Sequence, residues 1–461
     1  MRMFVLAVLL TTATTAFAQE SRIASDWRRE RERIAETCTE ADAGKLASCA
    51  VTLATDYPFH VALGNLAPGN GFAFGLAFVE RYTPSERWKI SFNADAVAAP
   101  GGSWRAGFYT RFIHTDVEAP AIVVAADTAP VTGGLREYSV FETYVQSTSL
   151  ERVDFYGPDP AGSGRLRTSF GERQTIVGGR AVVPLGGPLR ASAVGAVNGR
   201  FVQLRPGDGD VPSTGSLYDD ARAPGISDQP GTLELQEAIR VRPTLAGGRV
   251  RLDYLAGLQQ FIAGRGANAS FHRWTIDLRH DIPLYRRVTS PGPLATNGPD
   301  ECFVSVGSNA CPPLTVSRNR TGSISLRAMV VSSVPFQGSR VPFYFQPTLG
   351  GSNIDGERLL AAYEDYRFRG PHLLVFQQIF EHSVWGPVGA YLMAEQGQVA
   401  SRRSALALSR LDSSYGAGVS IRAGGLPVMT LAVAWGDGSG ARIVATMDAS
   451  LLGGSGRPSL F

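Results

Sequence analysis

From Trp88 to Val97 the chain reads WKISFNADAV, in which Trp88, Ile90, Phe92, Ala94 and Ala96 alternate with Lys89, Ser91, Asn93 and Asp95. A period of two puts all the polar groups on one face of an extended strand. The pattern returns in VRLDYLAGLQ, where Val250, Leu252, Tyr254, Ala256 and Leu258 oppose Arg251, Asp253 and Gln259. In FHRWTIDLRHDI, Trp274, Ile276, Leu278 and Ile282 stand against Arg273, Thr275, Asp277, Arg279 and Asp281. Near the end, ARIVATMDASL sets Ala441, Ile443, Ala445, Met447, Ala449 and Leu451 against Arg442, Val444, Thr446, Asp448 and Ser450. Soluble sandwiches alternate too, but these segments run about ten residues or more, the length a tilted strand needs to cross a bilayer.

Short connections at Thr83 to Arg87, Pro100 to Gly102, Gly424 to Pro427 and Gly436 to Gly440 suit an up-and-down barrel. About sixteen strand candidates fall between residues 59 and 452, within the range of bacterial barrels. The expected fold is therefore all-β, a transmembrane antiparallel β-barrel of about 16 strands with a short N-terminal helical segment. Closure pairs every backbone group inside lipid. Arg251, Arg273, Arg279, Asp253, Asp277 and Asp281 would line a polar lumen while the apolar face meets lipid. Trp88, Trp104, Phe108, Tyr254, Trp274 and Tyr415 read either as interfacial girdles or as plain lipid-facing or packed aromatics.

The composition agrees: charged residues are 18% of the chain, with 52 Gly and 28 Pro to serve many turns. Lys plus Arg (44) nearly balances Asp plus Glu (41), so no strong field points to nucleic acid. The start has a basic Arg2, an apolar run from Met3 to Leu10 and small residues at Ala16 and Ala18. This reads as a secretory signal peptide cleaved before Gln19, its apolar core being too short for a membrane anchor. The expected division is residues 1–18 as signal peptide, 19–56 as a periplasmic helical segment with a Cys pair, and 57–461 as an outer-membrane barrel. The charged stretch from Ser21 to Ala54 suits two short helices, whose basic face either touches lipid or a larger partner or is simply solvated. Cys38 with Cys49 and Cys302 with Cys311 read as disulfides of an oxidising compartment, since no His lies beside either pair at ligand spacing. No metal or cofactor is expected.

Three longer polar segments, Asp116 to Leu135, Arg205 to Gly231 and Arg286 to Arg318, are expected outside the cell, because outer loops of such barrels are the long ones. A fourth stretch stands apart. Leu349 to Phe376, LGGSNIDGERLLAAYEDYRFRGPHLLVF, opens on Gly350 and Gly351 and carries both signs of charge before running into a strand. Long ordered loops inside a compact fold are uncommon and usually functional.

That stretch resembles the sixth extracellular loop of the BamA/TamA superfamily of outer-membrane assembly proteins, the bacterial surface antigens. AYLMAEQGQV, from Ala390 to Val399, is similar to the family's F-x-D-x-G-x-V strand, with Glu395 and Gly397 near its Asp and Gly. SSYGAGVSIR, from Ser413 to Arg422, is similar to the S-x-G-x-G-x-R strand. FYGPDPAGSGRLRTSF, from Phe155 to Phe170, looks like a strand-loop-strand junction of bacterial members. The resemblance implies a loop that enters the lumen through Gly350, Gly351, Arg358, Tyr363, Arg367 and Arg369 and latches on a facing strand at Glu395 and Gly397. It also implies an Arg that pairs with the acidic strand motif, yet Ala361 stands at that place. Arg358, Arg367 or Arg369 is the expected substitute, with Glu395 as acceptor. The family's POTRA domains are not expected in the about forty mature residues before the barrel. Phe461 is the candidate assembly signal, as terminal aromatics are in such barrels.

The resemblance implies a POTRA-less barrel that helps insert or translocate proteins or lipids through a weak seam between its first and last strands. The expected partners are outer-membrane lipid and client outer-membrane proteins or a periplasmic partner. The alternative is a passive or gated channel with the loop as its plug. An enzyme is not expected. The sequence has no G-x-S-x-G elbow, no phosphate loop and no metal-spaced His, and His60, His114, His272, His280, His372 and His382 are dispersed.

Overall fold

The computed structural model describes residues 59–85, 87–115, 138–158, 166–246, 249–289, 315–385, 388–423, 426–437 and 440–447. Strands follow one another with little else between them. They are β1 (Phe59–Asn65), β2 (Phe72–Ser85), β3 (Trp88–Ala98), β4 (Trp104–His114), β5 (Ser139–Phe155), β6 (Thr168–Gly186) and β7 (Ala191–Pro206). Next come β8 (Thr232–Val241), β9 (Thr244–Leu245), β10 (Val250–Ala263), β11 (Phe271–Thr289) and β12 (Thr315–Pro335). A two-residue pair, β13 (Thr348–Leu349) and β14 (Phe368–Arg369), precedes β15 (His372–Trp385), β16 (Val388–Ala400), β17 (Asp412–Ala423), β18 (Leu426–Gly436) and β19 (Gly440–Met447).

All but β13 and β14 belong to one 17-stranded sheet. Both β8 and the short β9 pair with β10, so they occupy a single position and the sheet has sixteen staves. Each stave pairs antiparallel with the next in sequence, from β1 with β2 to β18 with β19. Among the described residues no register joins β1 to β19.

The alternation fixes which face is which. On β11, Arg273 is 3% and Asp277 7% exposed, whereas Trp274 is 53% and Ile276 48% exposed. Polar side chains thus point to the closed side and large apolar ones to the open side, the reverse of a soluble sheet. Phe72, Phe74 and Leu76 on β2, Val177 on β6, Val197 and Phe201 on β7 and Leu431 and Val433 on β18 continue the exposed apolar band. Of the six aromatics read from the sequence, Trp88, Phe108, Trp274 and Tyr415 are exposed in it. Trp104 is half-buried under the Arg173 guanidinium at 5.6 Å, and the Tyr254 hydroxyl bonds His280 Nε2 at 2.8 Å.

What fills the concave side is the segment between β12 and β15. Its residues pack with Ala62, Ala77, Val97, Phe155 and Phe170 of β1, β2, β3, β5 and β6 in one cluster. A second cluster joins it to Val202, Phe261 and Phe271 of β7, β10 and β11. A third joins it to Met329, Val375, Met393, Ala434 and Val444 of β12, β15, β16, β18 and β19. One narrow segment can touch strands along the whole sheet only if the sheet curls around it. The fold is a barrel with an internal plug, and its apolar exterior requires a membrane.

Strand parity corrects one expectation. The connection from β7 to β8 and the plug segment leave from the same rim, called here the plug rim. The ends of β4 and β5, and of β11 and β12, that flank the other two connections lie at the opposite rim, so the strand ends that bound the three long polar segments do not share a side. Two of them are also shorter than expected, because β7 extends to Pro206 and β11 and β12 pair as far as Thr289 with Thr315. Residues 1–58 with Cys38 and Cys49, and Cys302, Cys311 and Phe461, lie outside the described residues.

Candidate functional site

The plug is built on the glycine pair. Gly350 and Gly351 have φ of +98° and +56°, and they exchange backbone hydrogen bonds with Leu359, Leu360 and Tyr366. A Cβ at Gly350 would stand 2.5 Å from the Glu364 carbonyl oxygen, and one at Gly351 2.1 Å from Asp365 Oδ1. Two non-glycine residues, Leu360 (φ +56°) and Tyr366 (φ +59°), share the left-handed region. Such backbone costs roughly 1–3 kcal/mol each and persists only where its surroundings impose it. Here they do: Leu360 is fully buried and Tyr366 nearly so.

The facing wall holds the plug by a cross-strand row. Gln377 of β15 pairs with Glu395 of β16, and Glu395 with Ser414 of β17. All three lie on the lumen side, Glu395 with 1% exposure. The Ala361 N–H donates to Glu395 Oε2 at 2.7 Å, and the Gln377 amide donates to Oε1 at 2.7 Å. Next to it the Ala362 N–H donates to Ser414 Oγ at 3.0 Å. Gly397, two residues on, lets the plug approach: a Cβ there would lie 3.0 Å from Leu349 Cδ1.

The arginines go elsewhere, and among the described residues none of the three expected substitutes forms an ion pair with Glu395. Arg358 Nη2 donates to the Ala445 carbonyl of β19 at 2.8 Å. Burial holds its guanidinium below the ordinary range, although the Glu395 charge opposes this. Arg367 lies 4.9 Å over the Tyr156 ring. Arg369 donates from Nη1 to the Phe343 carbonyl at 2.8 Å and sits 5.8 to 6.0 Å from the rings of Phe155, Phe170 and Phe343. Burial pushes its guanidinium down to about 10, with Glu172 acting the other way. The place of the missing Arg is thus taken by a backbone amide, which needs no side chain at Ala361.

Further ties complete the enclosure. Arg327 bridges Asp277 (2.8 Å) and plug residue Glu357 (2.5 Å). Arg273 donates to Ser333 Oγ at 3.0 Å and to the Phe345 carbonyl. The Tyr363 hydroxyl donates to the Asp437 carbonyl, between β18 and β19, at 3.1 Å. A cavity of about 50 Å³ remains beside the plug, lined by Glu172, Gln146, Gln174, Arg200, Tyr344 and Asp355 among others. Space of that size admits a few waters.

Sequence reasoning missed Gln377, Ser414, Arg327 and Phe343. VFQQIF puts one Gln on each face of the strand, so neither the lumen side of Gln377 nor its place beside Glu395 can be read without the register between strands.

No family model and no curated protein matches this sequence. Among solved structures, the chain is similar in fold to BamA from Haemophilus ducreyi lacking POTRA domains 1–3, at 10% identity and TM-score 0.49, covering 84% of this chain and 68% of that one. It is similar to CdiB from Escherichia coli at 10% identity and TM-score 0.47, covering 86% of this chain and 61% of that one. For CdiB from Acinetobacter baumannii the values are 11% and 0.44, covering 83% of this chain and 56% of that one. The chain thus spans less than two thirds of either CdiB. By its own geometry, with sixteen staves, an apolar exterior and a latched lumen segment, the protein is an outer-membrane β-barrel of the plugged class.

Proposed function

We propose that this is a barrel of the BamA/TamA type that assists insertion or translocation of proteins or lipids at the seam between β1 and β19, with the plug holding that seam. The observation that carries this is the hydrogen bond from Arg358 to the Ala445 carbonyl. Among the described residues β19 pairs only with β18, so its outer backbone groups must find other partners. An incoming strand would need the same carbonyl that Arg358 occupies. Plug position and seam availability are therefore linked through one side chain.

The test is assembly of an unfolded outer-membrane protein by the purified barrel in liposomes. A disulfide engineered between β1 and β19 abolishes assistance, and reductant restores it. Assistance that survives the lock ends this reading.

The mixed-charge lumen favours a second reading, a gated channel. Arg105 with Asp95 (2.5 Å), Arg200 with Glu234 (2.5 Å) and Arg327 with Asp277 (2.8 Å) form buried pairs along it. Stable conductance steps of one size in planar bilayers would select the channel. A closed or irregularly flickering barrel selects the seam.

A further inference from the structure

At the plug rim, β16 and β17 are joined by residues 401–411, which carry two short 3-10 turns, Arg403–Ala405 and Leu408–Arg410. This connection does not cover the lumen. Gly397 faces the plug, so Gln398 faces outward, and the Gln398 amide binds the connection at two points. Its Nε2 donates to the Ala405 carbonyl at 3.3 Å, and its Oε1 accepts from the Ala407 N–H at 2.9 Å. His372 of β15 also faces outward, opposite Ala400, yet it is buried. The Arg403 charge acts on it. The connection is folded down against the outer wall, over β15 and β16.

What it displays there is unusual for a solvent loop. Leu408 is 71% exposed, and Arg402, Arg403 and Arg410 are all exposed. From Gln396 to Leu411 there is no Asp or Glu, and among the described residues none of the three arginines has an ion-pair partner. Below it runs the exposed apolar band, with Leu392 on β16 and Tyr415 on β17. An apolar side chain with three free guanidinium groups at the rim of a membrane barrel matches the boundary between acyl chains and phosphates.

We propose that residues 401–411 form a lipid-headgroup site, in which Arg402, Arg403 and Arg410 engage phosphates of membrane lipid while Leu408 enters the acyl region. The chemistry required of the ligand is a phosphate carried on an acyl chain. Guanidinium suits this, since its planar fork binds phosphate oxygens in pairs. The site is independent of the seam and of the plug, so it stands whether or not the barrel assists insertion.

The experiment is retention of phosphatidylglycerol against phosphatidylcholine by the full-length barrel in detergent, read by native mass spectrometry across a salt series. Wild type retains the anionic lipid preferentially, and the preference falls with salt. The variant Arg402→Gln/Arg403→Gln/Arg410→Gln loses it by about tenfold or more, as expected for three charges at a lipid surface. Leu408→Asn weakens lipid retention, whereas inorganic phosphate at millimolar concentration fails to displace the lipid. Equal retention of the two lipids by wild type, or no dependence on salt, overturns the proposal without any variant. Displacement by free phosphate alone overturns the lipid assignment. Heat-dependent gel mobility confirms that each variant is folded.

Discussion

Ala361 gives its backbone N–H to the Glu395 carboxylate at 2.7 Å, at the place where the resemblance calls for an arginine side chain. The carboxylate is also held by Gln377 at 2.7 Å and sits next to Ser414 in the strand register. Glu395→Ala strands the buried Ala361 N–H and leaves the Gln377 amide only its long 3.4 Å contact with the Arg358 carbonyl, which costs about 3 kcal/mol at 1–3 kcal/mol for each unpaired group. The expected outcome is a folded barrel whose plug is nicked by trypsin after Arg358 or Arg367. Glu395→Gln keeps an acceptor for Ala361 and should protect the plug nearly as well as wild type. Equal trypsin resistance of the Ala variant and wild type would show that the latch lies elsewhere.

The glycine pair gives a graded series. Gly350→Ala and Gly351→Ala meet backbone at 2.5 and 2.9 Å as well as a left-handed φ. Gly356, with φ +81°, has open space around a Cβ. Gly356→Ala should cost only the conformational strain, about 1–2 kcal/mol. The other two should cost more than that and lower the temperature at which gel mobility changes. A series in which all three variants behave alike removes the close approach as the reason for the pair.

The staves were legible because each carries its own alternation. Arg273, Asp277, Trp274 and Ile276 fall on the faces that their parity dictates. The plug was legible as a stretch but not as a set of contacts. Arg358, Arg367 and Arg369 look equivalent in sequence, yet one reaches Ala445 of the last strand, one stacks on Tyr156 and one is enclosed by three aromatic rings. Those partners lie dozens to hundreds of residues away, and only the curl of the sheet brings them together. The Ala361 contact was beyond any reading of side chains, because its donor is backbone. The rims are not legible in loop length at all, because strand parity alone decides from which side a connection leaves.

Arg369 and Glu172 are both deeply buried, and the Glu172 charge acts on Arg369. Taking away one of two buried opposite charges leaves the other less compensated, while replacing both by neutral groups of similar volume is often nearly neutral. Arg369→Met alone, which also loses the bond to the Phe343 carbonyl, should therefore destabilise the plugged barrel. Glu172→Gln/Arg369→Met should recover part of that loss. Urea unfolding of the two single variants and the double variant measures the coupling. Strictly additive effects would mean that Arg369 is held by the Phe343 carbonyl and the rings alone.

Tyr363 supplies a pH test. Burial, and then the charges of Asp412 and Asp437, push its hydroxyl up to about 12 from the ordinary value near 10. The unfolded chain ionises first, so the folded state is favoured by this group fully below pH 10 and loses the advantage as pH rises to 12. Tyr363→Phe lacks the group and the hydrogen bond to the Asp437 carbonyl. The stability difference between wild type and this variant should be constant from pH 7 to 9.5 and shrink between pH 10 and 12. Because other tyrosines titrate in both proteins, the difference isolates Tyr363. A difference that stays flat to pH 12 would mean that the hydroxyl ionises as readily in the folded barrel as in the unfolded chain, and that the plug does not shield it beside the turn from β18 to β19.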